Sequence, residues 1–202
     1  MSKLKRLSLK KRLTQELTLW VLFALDSECL SKGLQSPIPL GAFRPFEQQP
    51  NARLSEQLEA WRADDSIWRI GFSHIKNKMR LEQIWRGDEL WQNVLQDIEV
   101  LLSFQSALDI LVSRSAIRWK LNRMGSIDRS ILRFGAYELY FKQDLPVRAI
   151  LSEAIELGKR YGSADSGRFI NGVLDKVAQE IGRIERREDS GVKVSVVRRK
   201  RS

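Results

Sequence analysis

With 202 residues, 43% of them apolar and 30% charged, the chain has the size and composition of one soluble domain or two small ones with a proper core. Cys29 is the only cysteine and His74 the only histidine. That excludes an intramolecular disulfide and a thiol-based metal site, and any zinc site or triad would have to be built around one imidazole in "GFSHIKNK". The net charge of +10 sits at the ends, with +6 in residues 1–12 and +5 in residues 183–202, leaving −1 for the body. Basic ends on a neutral fold suit a polyanion such as RNA.

Helical periodicity dominates the chain. Leu13, Leu17, Val21 and Ala24 form one stripe, which predicts a first helix over about 10–27. Lys11 and Arg12 oppose the dipole at its start, a small conflict that suits cations with another task. The basic start followed by "LTLWVLFAL" resembles an export signal. However, Glu16 precedes the run, and Asp26 and Glu28 stand where small residues should mark cleavage. No apolar run approaches the ~18 residues that span a bilayer, so a cytoplasmic protein is expected.

Four of the five prolines fall within 33–50 and predict an irregular loop. Two charged, helix-prone stretches follow, ending near residue 85. With the start of the next element they hold Trp61, Trp68, Trp85 and Trp91. These tryptophans read as anchors of an extra helical layer, since buried aromatics dominate core energetics; a base-stacking surface would use the same residues. Further helices are predicted over about 88–104, 105–122 (with Trp119 on its apolar stripe) and 126–142, capped by Ser126. Pro146 at a first helical position opens another helix to Gly162. Only "VKVSVV" in the basic tail alternates like a strand, so the fold class is all-α.

The stretch "GSADSGRFINGVLDKV" (162–177) combines cap residues with two glycines inside an apolar pattern. Ser163 and Asp165 can cap the helix start. Gly167 and Gly172 cost helix propensity, which implies close approach of another backbone or a ligand. Asn171, next to the apolar stripe, would need a partner if buried. Arg168 beside Phe169 at a helix start can contact phosphate and stack a base. A phosphate-binding loop is excluded, because "GSADSGR" lacks the Gly-Lys-Ser/Thr ending and follows no strand.

"SIDRSILRFGAYEL" (126–139), "DLPVRAILSEAIELGKRYGSADSGRFINGVLDKVA" (144–178) and, more loosely, "KRLTQELTLWVLFALD" (11–26) resemble the NusB family of bacterial transcription antitermination factors. The resemblance implies two small helical bundles in residues 11–182, no catalysis and no cofactor. To these the chain adds an N-terminal arm (1–10), a helical insertion over about 33–87 and a basic, disordered tail (183–202). It implies binding of boxA-like single-stranded leader RNA together with NusE, a small-subunit ribosomal protein. That assembly works within the RNA polymerase elongation complex, with other Nus factors, to read through ribosomal RNA operons.

By residue match, Lys10, Lys11, Arg12, Asp165, Arg168 and Phe169 would face RNA, and Phe23 and Asp128 would face NusE. Departures from the family pattern are Gln15 for an arginine, Thr18 and Trp20 for an alanine-glutamine pair, and Ser152 for an asparagine. Two other classes remain open. One is a helical interaction module without boxA binding. The other is the non-catalytic RNA-binding domain of a ribosomal RNA methyltransferase system, since no βαβ unit or catalytic cysteine motif follows residue 182.

Overall fold

A computed structural model describes residues 8–25, 50–65, 69, 71–117 and 119–183. In chain order the elements are α1 (Leu9–Leu25), α2 (Pro50–Ala63), α3 (Lys78–Arg86), α4 (Asp88–Ser103) and α5 (Gln105–Ser115), then a 3₁₀ turn at Leu121–Arg123. α6 (Ser126–Phe141), α7 (Val147–Tyr161) and α8 (Ser166–Glu180) complete them. Among the described residues there is no strand. Cys29, Trp68, "VKVSVV" and the loop expected over 33–49 lie outside these residues, as does residue 184 onward.

The helices sort into two groups. α5, α6, α7 and α8 pack on one another, while α1 packs on α4 and α6 and α2 packs on α4. One contiguous apolar core, from Leu13 and Leu17 through Ile98 and Leu132 to Leu174 and Val177, joins the groups. α7 and α8 approach each other closely. A methyl on Gly158 would lie 2.6 Å from Ile170 Cδ1 and 3.4 Å from Gly167 Cα. A methyl on Gly167 would lie 3.2 Å from Lys159 Cγ. The two helices therefore pack on their glycines, which explains Gly167. Gly172 does not fit that explanation, for nothing lies within 4 Å of a methyl placed there.

The inserted segment is stapled to the body by aromatic rings. Phe72 stacks on Trp20 of α1 at 4.8 Å and 16°. Phe72 meets Trp85 edge-on at 6.1 Å, and Trp85 meets Trp91 at 4.8 Å and 82°. Their N–H groups are satisfied: Trp85 donates to the Arg62 carbonyl at 3.1 Å and Trp91 to the Trp85 carbonyl at 2.7 Å. Trp61, Trp85 and Trp91 are all buried, so here the packing reading is the correct one and base stacking is excluded. Gly71 makes the staple possible, since its methyl would fall 2.1 Å from Trp20 Cη2.

Several helix ends differ from the sequence reading. α5 stops at Ser115, which leaves Trp119 outside the helix and 55% exposed rather than on a core stripe. Ser126 is the first helical residue of α6, with Gly125 in the cap position. Pro146 is itself the cap of α7, and Pro50 opens α2 instead of ending a loop. At α8 the capping is inverted. Asp165 holds the cap position without a side-chain bond, and the Oγ of Ser166 accepts the Ser163 N–H at 2.8 Å. Asn171 is exposed and needs no internal partner. Arg183, counted above with the tail, is anchored: its guanidinium donates to the carbonyls of Leu139 at 2.7 Å, Lys142 at 3.3 Å and Leu145. The last turn of α6 thus gains a cap.

Candidate nucleic-acid interface

The N-terminal cations stand on the first turns of α1. Lys10 pairs with Glu89 of α4, and Arg12 Nε lies 3.7 Å from Glu153 Oε2 of α7. Lys11 forms no ion pair among the described residues. It lines a polar cavity of about 350 Å³ together with Lys10, Gln15, Asp97, Glu138 and Lys142. At its floor Gln15 Nε2 donates to buried Glu138 at 2.7 Å, and the Gln15 carbonyl oxygen has no partner. Desolvation pushes the Glu138 carboxyl up to about 7. Asp97 beside it accepts from Tyr137 OH at 2.7 Å and from Lys142 Nζ at 2.8 Å.

One turn further along α1, Glu16 is buried and ties three elements together. Arg160 Nη1 of α7 lies 2.7 Å from Oε1, the Tyr161 hydroxyl donates to the same oxygen, and His74 Nε2 lies 3.8 Å from Oε2. Burial raises the Glu16 carboxyl above its ordinary range even against Arg160. His74 is held down to about 4 by burial first and then by Arg160, Arg12 and Lys78. Its imidazole is therefore neutral at pH 7.

The second cluster opens α8. Arg168 and Asp165 project into solvent, 90% and 86% exposed, with Nη1 and Oδ1 3.8 Å apart. Phe169 is half-buried, and its ring centre lies 5.5 Å from that of Trp119 at 57°. Both rings belong to an open concavity of about 530 Å³ lined also by Ile117, Arg168, Gly172 and Lys176. No acidic residue lines it. Two rings at this angle and distance cannot sandwich a base, but they form a corner against which exposed bases can rest, with cations at the rim for phosphate. Gly172 leaves the floor of that corner bare.

Along α7 the two clusters are set apart: the first touches the middle of the helix and the second follows its C-terminal end. Arg12 meets Glu153, whereas Arg168 follows the end of the helix at Tyr161. At 1.5 Å per residue these positions are roughly 12 Å apart along the axis. Ile117, Trp119 and Lys176 are not among the residues that the sequence singles out. Their signal is "IRWK" (117–120), which alternates apolar and basic residues, although a helical period places Trp119 on an apolar stripe.

Phe23 is buried at 5% exposure. Asp128, in the first turn of α6, is half-buried; desolvation raises its carboxyl, the nearby Ser166 hydroxyl offsets part of that rise, and Oδ1 has no partner. Both residues expected to face NusE are thus drawn inward, Phe23 fully and Asp128 in part. Among the described residues no group of three His, Cys, Asp or Glu side chains is arranged to hold a metal ion. No described helix is long and apolar enough to cross a membrane.

The model of the NusB family matches residues 72–179. The transcription antitermination protein NusB of Sorangium cellulosum is 42% identical over 100 residues, covering 50% of this chain and 66% of that protein. The NusB protein of Bacillus licheniformis is 33% identical over 120 residues, covering 59% of this chain and 93% of that protein. The match to the Thermotoga petrophila NusB protein spans 51% of its length, so the aligned stretches cover from about half to nearly all of these relatives. A crystal form of T. maritima NusB superposes with a TM-score of 0.50 at 27% identity, covering 84% of this chain and 91% of that one.

Proposed function

Because this chain belongs to the NusB family, we propose that it is an RNA-binding transcription antitermination factor of the cytoplasm, acting by binding and not by catalysis. The relatives carry the name of transcription antitermination proteins. The observation that carries the RNA reading is the acid-free concavity in which Trp119 and Phe169 meet below Arg168 and Lys176. An apolar corner rimmed by cations favours unstacked bases with their phosphates over an acidic peptide. Lys11 supplies the cation at the other end of the path, with Lys10 and Arg12 held in exchangeable surface pairs beside it. The ligand in this reading is boxA-like leader RNA, bound together with NusE, and the outcome is read-through of ribosomal RNA operons.

Binding of fluorescently labelled boxA-like RNA to wild type, Trp119→Ala and Phe169→Ala, with and without NusE, tests the reading. Loss of a stacking ring costs about 1–3 kcal/mol, or roughly 5- to 150-fold in affinity. Each variant should show that loss while keeping the helical circular-dichroism spectrum. Unchanged affinity in both folded variants would refute the concavity as the RNA site.

A further inference from the structure

We propose that the inserted segment adds an RNA contact of its own: the loop from His74 to Lys78, lodged against α1 and α7, holds the same single strand between the Lys11 end and the Arg168 end. The inference rests on the RNA-binding reading above. Its geometry centres on Glu16, which pairs with Arg160 through one oxygen at 2.7 Å while the neutral His74 ring lies beside the other, Nε2 at 3.8 Å. Arg12 stands one helical turn before Glu16, on the same side of α1. Helix α1, helix α7 and the loop therefore meet at one carboxylate. The loop is fixed from behind as well. Lys78 Nζ donates to the carbonyls of Phe72 and Ser73, both at 3.1 Å, and Phe72 is stacked on Trp20.

Charge at this junction is unbalanced. Glu16 answers Arg160 and Glu153 answers Arg12, one acid for each cation. Lys76 and Lys78 are exposed and have no carboxylate partner among the described residues. The surplus therefore lies on the loop, on a backbone already held in place. His74 contributes a partly exposed imidazole, kept neutral by burial and by Arg160, Arg12 and Lys78. Fixed cations beside a flat neutral ring match a phosphodiester strand with unpaired bases, where phosphates take the ammonium groups and a base takes the ring. The position also fits. Arg12 meets α7 at Glu153, and the loop comes near the same helix at Arg160 through Glu16, so a strand passing from the α1 cations towards Arg168 runs by the loop.

His74 is the only histidine, so its imidazole C–H resonances report on this junction without assignment. The full chain is titrated with boxA-like single-stranded RNA by NMR. The affinity of wild type and Lys76→Ala/Lys78→Ala for the same RNA is then measured across salt concentrations. We expect the His74 resonances to shift as RNA saturates. If each lysine neutralises one phosphate, the double variant loses about 1.4 from the slope of log K against log salt, so its affinity falls by roughly 25-fold at ~0.1 M salt and converges on wild type near ~1 M. Lys76→Ala alone, which removes no internal bond, should give about half of that slope change and guards against misfolding of the double variant. Undisturbed His74 resonances and unchanged slopes with wild-type RNA affinity would overturn the loop contact and leave the RNA reading intact. Failure of the wild type to bind RNA at all would overturn both.

Discussion

Replacing Glu138 by glutamine should make the protein more stable at alkaline pH and leave it nearly unchanged in acid. Glu138 is buried, and among the described residues the neutral donor on its carboxyl is Gln15 Nε2 at 2.7 Å. Burial lifts the carboxyl from 4.5 to about 7; Asp97 adds to the rise, while the Gln15 hydrogen bond, Lys11 and Lys142 oppose it. A carboxyl that holds its proton more tightly in the folded state than in the unfolded one stabilises fully below its unfolded pKa. That contribution drains away as pH rises through the folded pKa. Between 4.5 and about 7, at roughly 1.4 kcal/mol for each tenfold in proton affinity, the loss sums to about 3 kcal/mol. Glutamine keeps the shape and the bond to Gln15 but cannot ionise. Glu16, Asp128 and Glu153 are also raised by burial, so the wild-type pH profile alone mixes several groups. The difference between variant and wild type at each pH cancels the others. Urea unfolding from pH 4 to 8.5 should show this difference near zero at the acid end and growing to about 3 kcal/mol, equivalent to roughly 6–12 °C in Tm. A pH-independent difference would refute the argument that Glu138 is the strained ionisation.

Gly172→Ala adds a methyl to open space within α8, so it should stabilise by up to about 1 kcal/mol in thermal or urea unfolding. It should also weaken boxA-like RNA binding, since the methyl fills the floor of the Trp119–Phe169 corner; a stabilised variant with full RNA affinity would mean that no base rests there. Asp128→Asn removes a half-buried charge already raised by desolvation, so at neutral pH it should change stability by no more than about 0.5 kcal/mol. Titration calorimetry at two salt concentrations should show weaker, less salt-dependent binding to NusE, and equal affinities would leave Asp128 as a helix-start residue only.

Much of the fold was legible because buried stripes at helical spacing leave little freedom. Leu13, Leu17 and Val21 in α1, and Ile170, Val173, Leu174 and Val177 in α8, are all buried where their period puts them. The ends were less legible, because several partners can close a helix terminus with similar energy. At α8 Ser163 and Asp165 both offer a cap; Asp165 takes the position without a side-chain bond, and Ser166 Oγ accepts the Ser163 N–H instead. Nothing in local sequence separates those outcomes.

The candidate site shows a sharper limit. Periodicity tells which residues share a helix face, but not which helices meet. Arg168 and Phe169 could be singled out because they are neighbours at one helix start, whereas their partner Trp119 comes from a turn far upstream. Glu16, His74 and Arg160 belong to three separate segments, and no spacing rule connects them.

Trp20 shows how a departure from a family pattern becomes readable once the contacts are known. In the sequence it is an oddity of the first helix, and the inserted segment is a separate oddity. In the structure its ring stacks on Phe72, covers the bare backbone of Gly71 and begins the aromatic chain through Trp85 to Trp91. A glutamine at position 20 would offer no flat apolar face to Phe72 and would bury an amide against rings that cannot hydrogen-bond to it, at a cost of about 1–3 kcal/mol. The substitution and the insertion are therefore one feature. The tryptophan gives the inserted segment a seat on α1, and that seat carries His74 to within 3.8 Å of Glu16.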